Sequence, residues 1–106
     1  MSTPTDARPE LLTVVAYMKA APGRRDELKA ELEKLTAPTS REDGYVNYDL
    51  HQGVEDPDFF ALYENWESAA ALDAHLAAPH LVHFANIMGG LLDDAGLAIN
   101  RVQRIA

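Results

Sequence analysis

"LLTVVAYMK", residues Leu11 to Lys19, is apolar on both parities of an extended chain. Leu12, Val14, Ala16 and Met18 share one side, and Leu11, Val15 and Tyr17 share the other. That pattern predicts a strand buried on both faces, which belongs in the interior of a sheet. Its neighbours must then supply the cover. Immediately after it, Pro22-Gly23 opens a helical stretch, "RRDELKAELEKL", with Asp26 and Glu27 in the first turn, where negative charge is favoured. Leu28, Leu32 and Leu35 recur at i, i+4 and i+7 and form its buried stripe.

Pro38 removes a backbone donor and crowds the preceding turn, at about 3 kcal/mol inside a helix, so a break is expected there, followed by an irregular turn over "TSRED" up to Gly44. "GYVNYDLHQG" then alternates Val46, Tyr48 and Leu50 against Tyr45, Asn47, Asp49 and His51, as a half-buried strand does. "VEDPD" is turn chemistry, and "FFALYENW" is the returning strand of a hairpin. Ser68 is placed to cap a second helix whose first apolar pair is Leu72 and Leu76. Pro79 interrupts it, and Leu81, Phe84, Met88 and Leu91 continue a helical stripe beyond. "LAINRVQRIA" closes the chain as a strand whose alternation falters at Asn100 and Arg101, which suggests a bulge or burial against a second subunit.

Strand, helix, strand, strand, helix, strand is the order of the α+β ferredoxin-like fold, βαββαβ: a four-stranded antiparallel sheet with the first and third strands central and the helices on one face. One domain over residues 11–106 is expected, preceded by a frayed tail over 1–10, "MSTPTDARPE", which has little to bury. With helices on one face only, Leu11, Val15 and Tyr17 are left as part of an uncovered apolar patch. A homodimer pairing sheet to sheet follows as an expectation.

Composition removes several function classes. Seventeen acidic residues against nine basic give a net charge of −8, which disfavours nucleic acid and anionic membrane surfaces as partners. There is no cysteine, so disulfides, thiolate metal sites and cysteine nucleophiles are excluded. The apolar runs are too short to span a bilayer, and a cytoplasmic location is the expectation. No G-x-S-x-G elbow or phosphate-binding loop is present.

Four segments, "PGRRDEL", "APTSREDGYVNYDLHQ", "FALYENWES" and "ALDAHLAAPHLVHF", taken in this order and spacing, resemble the antibiotic biosynthesis monooxygenase family, in particular its small quinol-monooxygenase-like members. The resemblance runs from Leu11 to Ile105. It implies a ferredoxin-like dimer closing as a dimeric α+β barrel, with sheets face to face. It also implies oxidation of a quinol or polycyclic phenol by molecular oxygen without metal, flavin or other cofactor, because an electron-rich phenolate can itself reduce oxygen. Trp66 matches the pocket tryptophan of the anthrone-oxidising branch, and His51 lies near its pocket histidine. Leu62 and Leu72 stand where that branch has asparagine and tyrosine, which argues against anthrone chemistry.

The candidate catalytic residues are therefore Trp66, His75, His51 and Glu64, and the candidate substrate-binding residues Tyr48, Tyr63, His80 and Phe84. Trp66 offers a broad apolar face for a planar ring, or else it is core at the end of a strand. Glu64 shares its strand face and could take a phenolic proton, or pair with Arg24, Arg25 or Arg41. His75 could accept a proton from a bound phenol, or cap a carbonyl near Pro79. His80 could cap the following helix or face the cavity, while His83 is expected to be exposed. Tyr45, Tyr48 and Tyr63 alternate in face, and any one pointing inward could bind a substrate oxygen. The oxidation reading requires a dry hollow beside the indole that is large enough for a flat ring. No metal site is expected: His80 and His83 with Asp73 or Glu64 do not enforce zinc-like spacing. A non-catalytic module binding a small aromatic ligand is the alternative. Haem binding ranks third, since the first strand offers Thr13 or Tyr17 where haem-degrading relatives have asparagine.

Overall fold

The computed structural model of the chain describes residues 11–106, and the frayed tail expected over 1–10 lies outside them. Four strands, β1 (Leu12–Lys19), β2 (Tyr45–Gln52), β3 (Phe59–Trp66) and β4 (Ala98–Val102), form one antiparallel sheet of order β2-β3-β1-β4. The doubly apolar first strand is interior, as its pattern requires. Four helices, α1 (Arg25–Glu33), α2 (Thr36–Thr39), α3 (Ala69–Leu76) and α4 (Pro79–Ile87), complete the layer, with a 3-10 turn over Met88–Gly90. Among the described residues, no helix is long and apolar enough to cross a membrane.

The core lies between the helices and one sheet face. Val14, Ala16 and Met18 of β1 and Phe60, Leu62 and Trp66 of β3 are buried there together with Leu28, Leu32, Leu72 and Phe84. Each fully covered leucine contributes about 1.5–3 kcal/mol relative to exposure. The break ahead of Pro38 falls at Lys34 and Leu35, between α1 and α2. Lys34 is the residue four positions back, whose carbonyl a proline ring crowds. Ser68 caps α3 as expected, its Oγ accepting from the Ala71 N–H at 3.1 Å. Pro79 does more than interrupt: it is the first residue of α4, where a missing N–H costs nothing.

Two features differ from the sequence pattern. A register shift between Tyr45 and Asn47 sets Tyr45 opposite Trp66, on the helix side, while Asn47 pairs with Asn65 on the other face. β4 pairs evenly with β1 from Thr13–Val102 to Tyr17–Ala98, without a bulge. Asn100 turns its side chain to the Val15 carbonyl, and Arg101 faces the helix layer, where it bonds Asp73.

The expected barrel is not formed. The sheet is open, not closed into a barrel, with β2 and β4 as its two edges and the central pair between them. Small closed barrels need about eight strands to fill their interior, and four strands cannot curl that far. Nor is β1 covered on both faces within the chain: Val15, Tyr17 and Tyr63, on the side away from the helices, remain 37%, 45% and 47% exposed. The apolar pattern on that side is a surface.

Gly44 joins the α2 turn to β2 at φ +81°, and a Cβ there would collide with the Ala71 side chain of α3. Gly23 has a similar φ of +79° but open space around it. Gly44→Ala should therefore destabilise by more than the about 1–2 kcal/mol of left-handed backbone strain expected for Gly23→Ala. Urea unfolding midpoints of the two variants check the difference, and equal losses would contradict the collision.

Candidate functional site

A strand repeats its facing every second residue, so Glu64 and Trp66 of β3 both point into the helix layer. The indole is fully buried, and its Nε1–H donates to Glu64 Oε1 at 2.9 Å. On α3, Leu72 and His75 are three residues apart and share the buried stripe. His75, only 1% exposed, lays its ring against the indole with centroids 4.5 Å apart and planes 35° apart. Tyr48 of β2 meets the imidazole edge-on at 5.4 Å, and Tyr45 meets the indole edge-on at 6.3 Å.

The turn after α2 brings a further acid to the imidazole. Glu42 Oε2 lies 2.8 Å from His75 Nδ1 and also 2.8 Å from His80 Nε2, while Thr39 Oγ1 is 3.2 Å from that same His80 nitrogen. His80 arrives in the first turn of α4, which the short link after α3 folds back beside α2. On its other side, His75 Nε2 faces Glu64 Oε1 at 3.9 Å. One buried imidazole thus stands between two carboxylates, and no buried side-chain polar atom among the described residues lacks a partner.

A carboxylate only accepts, so both imidazoles present N–H to Glu42, and a neutral His75 then keeps its lone pair on Nε2. Burial holds the His75 pKa below its ordinary value, outweighing the upward pull of the Glu42 hydrogen bond and charge. Burial also raises Glu64 above the ordinary carboxylate value against the Trp66 hydrogen bond, and the nearby Glu42 charge adds to the rise. Tyr48 is raised by burial and then by Glu64 and Glu42, so its phenol stays neutral.

Tyr48, Glu64 and His75 provide the polar lining of an apolar cavity of about 40 Å³ that Leu35, Leu76 and Phe84 help to close. An apolar cavity that holds benzene measures about 150 Å³, and this space is several times smaller. It does not take a flat ring, and the indole is not part of its wall; the face of Trp66 is occupied by His75. The hollow expected from the sequence is thus smaller than a ring.

Of the sequence candidates, Tyr48, Glu64, His75 and Phe84 line this cavity, Trp66 stands behind it against His75 and Glu64, and His80 connects to His75 through Glu42. His51 and Tyr63 do not. Both lie on the opposite sheet face: His51 Nδ1 is 3.1 Å from the Asp49 carbonyl, and Tyr63 lines an open depression of about 280 Å³ with Thr13, Val15 and Asn65. Glu64 forms no pair with Arg24, Arg25 or Arg41; Arg24 and Arg25 bind Glu27 and Asp58 instead. Glu42 and Thr39 were not among the candidates. They sit in or beside a turn with no periodic pattern, and Glu42 lies 33 and 38 positions from its two histidines. As possible metal ligands, His75, His80 and Glu42 converge, rather than His80 with His83.

A family model described as antibiotic biosynthesis monooxygenase matches residues 11–86. The chain belongs to this family. Rv0793 of Mycobacterium tuberculosis is 33% identical over 81 residues, covering 76% of this chain and 79% of that one. The Escherichia coli K12 protein named "Probable quinol monooxygenase YgiN" is 31% identical over 90 residues, covering 76% and 86%. Among solved structures, PA3566 from Pseudomonas aeruginosa superposes with a TM-score of 0.85 at 36% identity over 92% of this chain and 96% of that one. The resemblance read from the four sequence segments is confirmed at the level of the family.

Two of the shifted groups in this family member, Glu64 and His75, oppose one another in their pH dependence. Above 4.5, native Glu64 keeps a proton that the unfolded chain has released, so its contribution falls as pH rises toward the raised native value. Below 6.5, the unfolded chain takes up a proton that native His75 resists, so stability falls as pH drops toward the depressed native value. Glu64→Gln keeps an acceptor for the indole and removes the buried charge. Its stability relative to wild type should be greater at about pH 7 than at about pH 4. Urea midpoints at the two values test this; a pH-independent difference would show that Glu64 titrates normally.

Proposed function

We propose that this protein is an oxygenase that oxidises an electron-rich quinol or phenol with molecular oxygen, the substrate itself supplying the electrons. The observation that carries the reading is His75: a buried, neutral imidazole whose Nδ1–H is held by Glu42, whose Nε2 faces Glu64 at 3.9 Å, and whose side chain lines an apolar cavity with Glu64. Family membership and a relative named for quinol oxidation supply the substrate class.

Nε2 accepts a proton from a substrate hydroxyl, and Glu42 stabilises the imidazolium that results. The quinolate passes one electron to oxygen; the resulting superoxide and semiquinone join in a new C–O bond. The O–O bond then breaks as the proton held at His75 and the ring hydrogen released as a proton from the attacked carbon both pass to the departing oxygen, which leaves as water. For a quinol with a free ring position, the sum is quinol plus O2 giving hydroxyquinone plus water: one oxygen atom enters the ring and the other leaves as water. Exclusion of water by the leucines and Phe84 protects the radical pair. Trp66 acts here through Glu64 and His75, which it positions, and Phe84 and Tyr48 contact the substrate as the cavity widens. His51 and Tyr63 lie outside this pocket within one chain.

The same reading includes a homodimer. Val15, Tyr17, Phe59, Tyr63 and Val102 expose apolar surface on the side of the sheet or at its rim that the helices leave uncovered, and a patch of that kind is normally buried by a partner. Sedimentation equilibrium should give twice the mass of the chain, and Val15→Asp with Tyr63→Asp should give the chain mass; a wild-type monomer would remove this part of the proposal.

Oxygen uptake with a panel of reduced quinones tests the reaction. His75→Gln should lower kcat by about 100- to 10,000-fold, and Glu42→Gln should also move the acid limb of the pH-rate profile. Labelled 18O2 should place one atom in the quinone and one in water. No protein-dependent rate above autoxidation would sink the oxygenase reading and favour ligand binding without turnover.

A further inference from the structure

Glu42, His75 and His80 each bring one ligand atom to the same place, and the three atoms lie within 4.8 Å of one another. Two imidazole nitrogens and one carboxylate oxygen form a donor set suited to zinc and its divalent neighbours, which commonly take three protein ligands and keep a position for water. We propose that Glu42 Oε2, His75 Nδ1 and His80 Nε2 form a binding site for a divalent transition cation such as Zn2+, with water completing its coordination.

The surroundings supply what a ligand set needs beyond number. His75 is wedged between Trp66 and Tyr48, which fixes its ring. Its second nitrogen faces Glu64 at 3.9 Å, and Glu64 is itself tied to the indole at 2.9 Å. A carboxylate behind a ligating imidazole sets the tautomer and raises ligand basicity. When Nδ1 gives its lone pair to the ion, the ring proton moves to Nε2 and points toward Glu64, so a neutral ring binds without losing a proton. Thr39 Oγ1, buried and 3.2 Å from His80 Nε2, provides a polar neighbour beside the second imidazole.

Charge and access agree with this assignment. Among the described residues, Glu42 and Glu64 pair with imidazoles and not with lysine or arginine, so two carboxylates share the cluster without a permanent cation. His80 and Glu42 keep side-chain exposures of 20% and 15%, and His80 lines a groove of about 370 Å³ between the end of α1 and α4. An ion can enter there from solvent, and modest rotations of the Glu42 and His80 side chains bring the donors to the about 2.0–2.1 Å that zinc requires.

The site stands on this geometry and not on the oxidation reading, and the two states of His75 are alternatives, since an ion at Nδ1 leaves Nε2 protonated and unable to accept; the test of the site needs no turnover. The full chain, freed of any affinity tag and stripped with chelator, is titrated with zinc chloride in a calorimeter and with cobalt(II) chloride in a spectrophotometer. Expected are one Zn2+ per chain and a visible cobalt absorption of low-coordinate type. Glu42→Gln and His80→Gln should each weaken zinc binding by roughly tenfold or more. His51→Gln, on the far face, and His83→Gln, exposed in the same groove, should leave it unchanged. Should Glu42→Gln fail to fold, His80→Gln carries the test, because that ring lies at the rim of the cluster. Absence of stoichiometric binding would overturn the proposal, as would binding that survives both ligand substitutions and is lost with His51 or His83.

Discussion

A single carboxylate oxygen organises the site. Glu42 Oε2 accepts from His75 and His80 at 2.8 Å each, and so joins the turn after α2 to both helices of the second helical segment. An imidazole as buried as His75 would be costly without a partner, because an unmade hydrogen bond in the core costs about 1–3 kcal/mol. With Glu42 in place, the ring is oriented, its tautomer is set, and its remaining nitrogen is presented to the cavity. The carboxylate of Glu64 stands on that other side, held by Trp66.

The network also explains why the helical layer is broken where it is. Pro38 ends the regular run of the first helical segment, so the chain turns and places Thr39 and Glu42 against α4 instead of extending past it. Pro79 restarts the second segment at a new angle and sets His80 in the first turn of α4. Each proline acts through the same two facts, a missing donor and a fixed φ. Between them they bring together residues that periodicity alone would leave unrelated. The indole does not line a ring-sized hollow: it is spent on the imidazole and on Glu64, and the polar groups at the cavity are Tyr48, Glu64 and His75.

The two faces of the sheet have divided roles. On the covered face, alternate residues of β1, β2 and β3 build core and site together; on the open face, the intervening residues form a mixed apolar and polar surface that carries His51 and Tyr63. Because side chains alternate with period two, a residue and its neighbour cannot both enter the same cavity without a bulge. The irregularity at Tyr45 and Asn47 is such a place, and it moves Tyr45 beneath the indole.

The order of elements, the interior place of β1, the leucine stripe of α1, the Ser68 cap and the family were all legible in the sequence, because each rests on local periodicity, cap chemistry or motif spacing. So was the inward facing of Glu64 with Trp66, which follows from strand parity. What the tertiary structure decided was long-range: that the sheet does not close into a barrel, how small the cavity is, and that Glu42 reaches His75 and His80. These depend on how layers pack and on turns whose sequences have no period. Local pattern specifies which way a side chain points from its own element, and only packing specifies what it meets there.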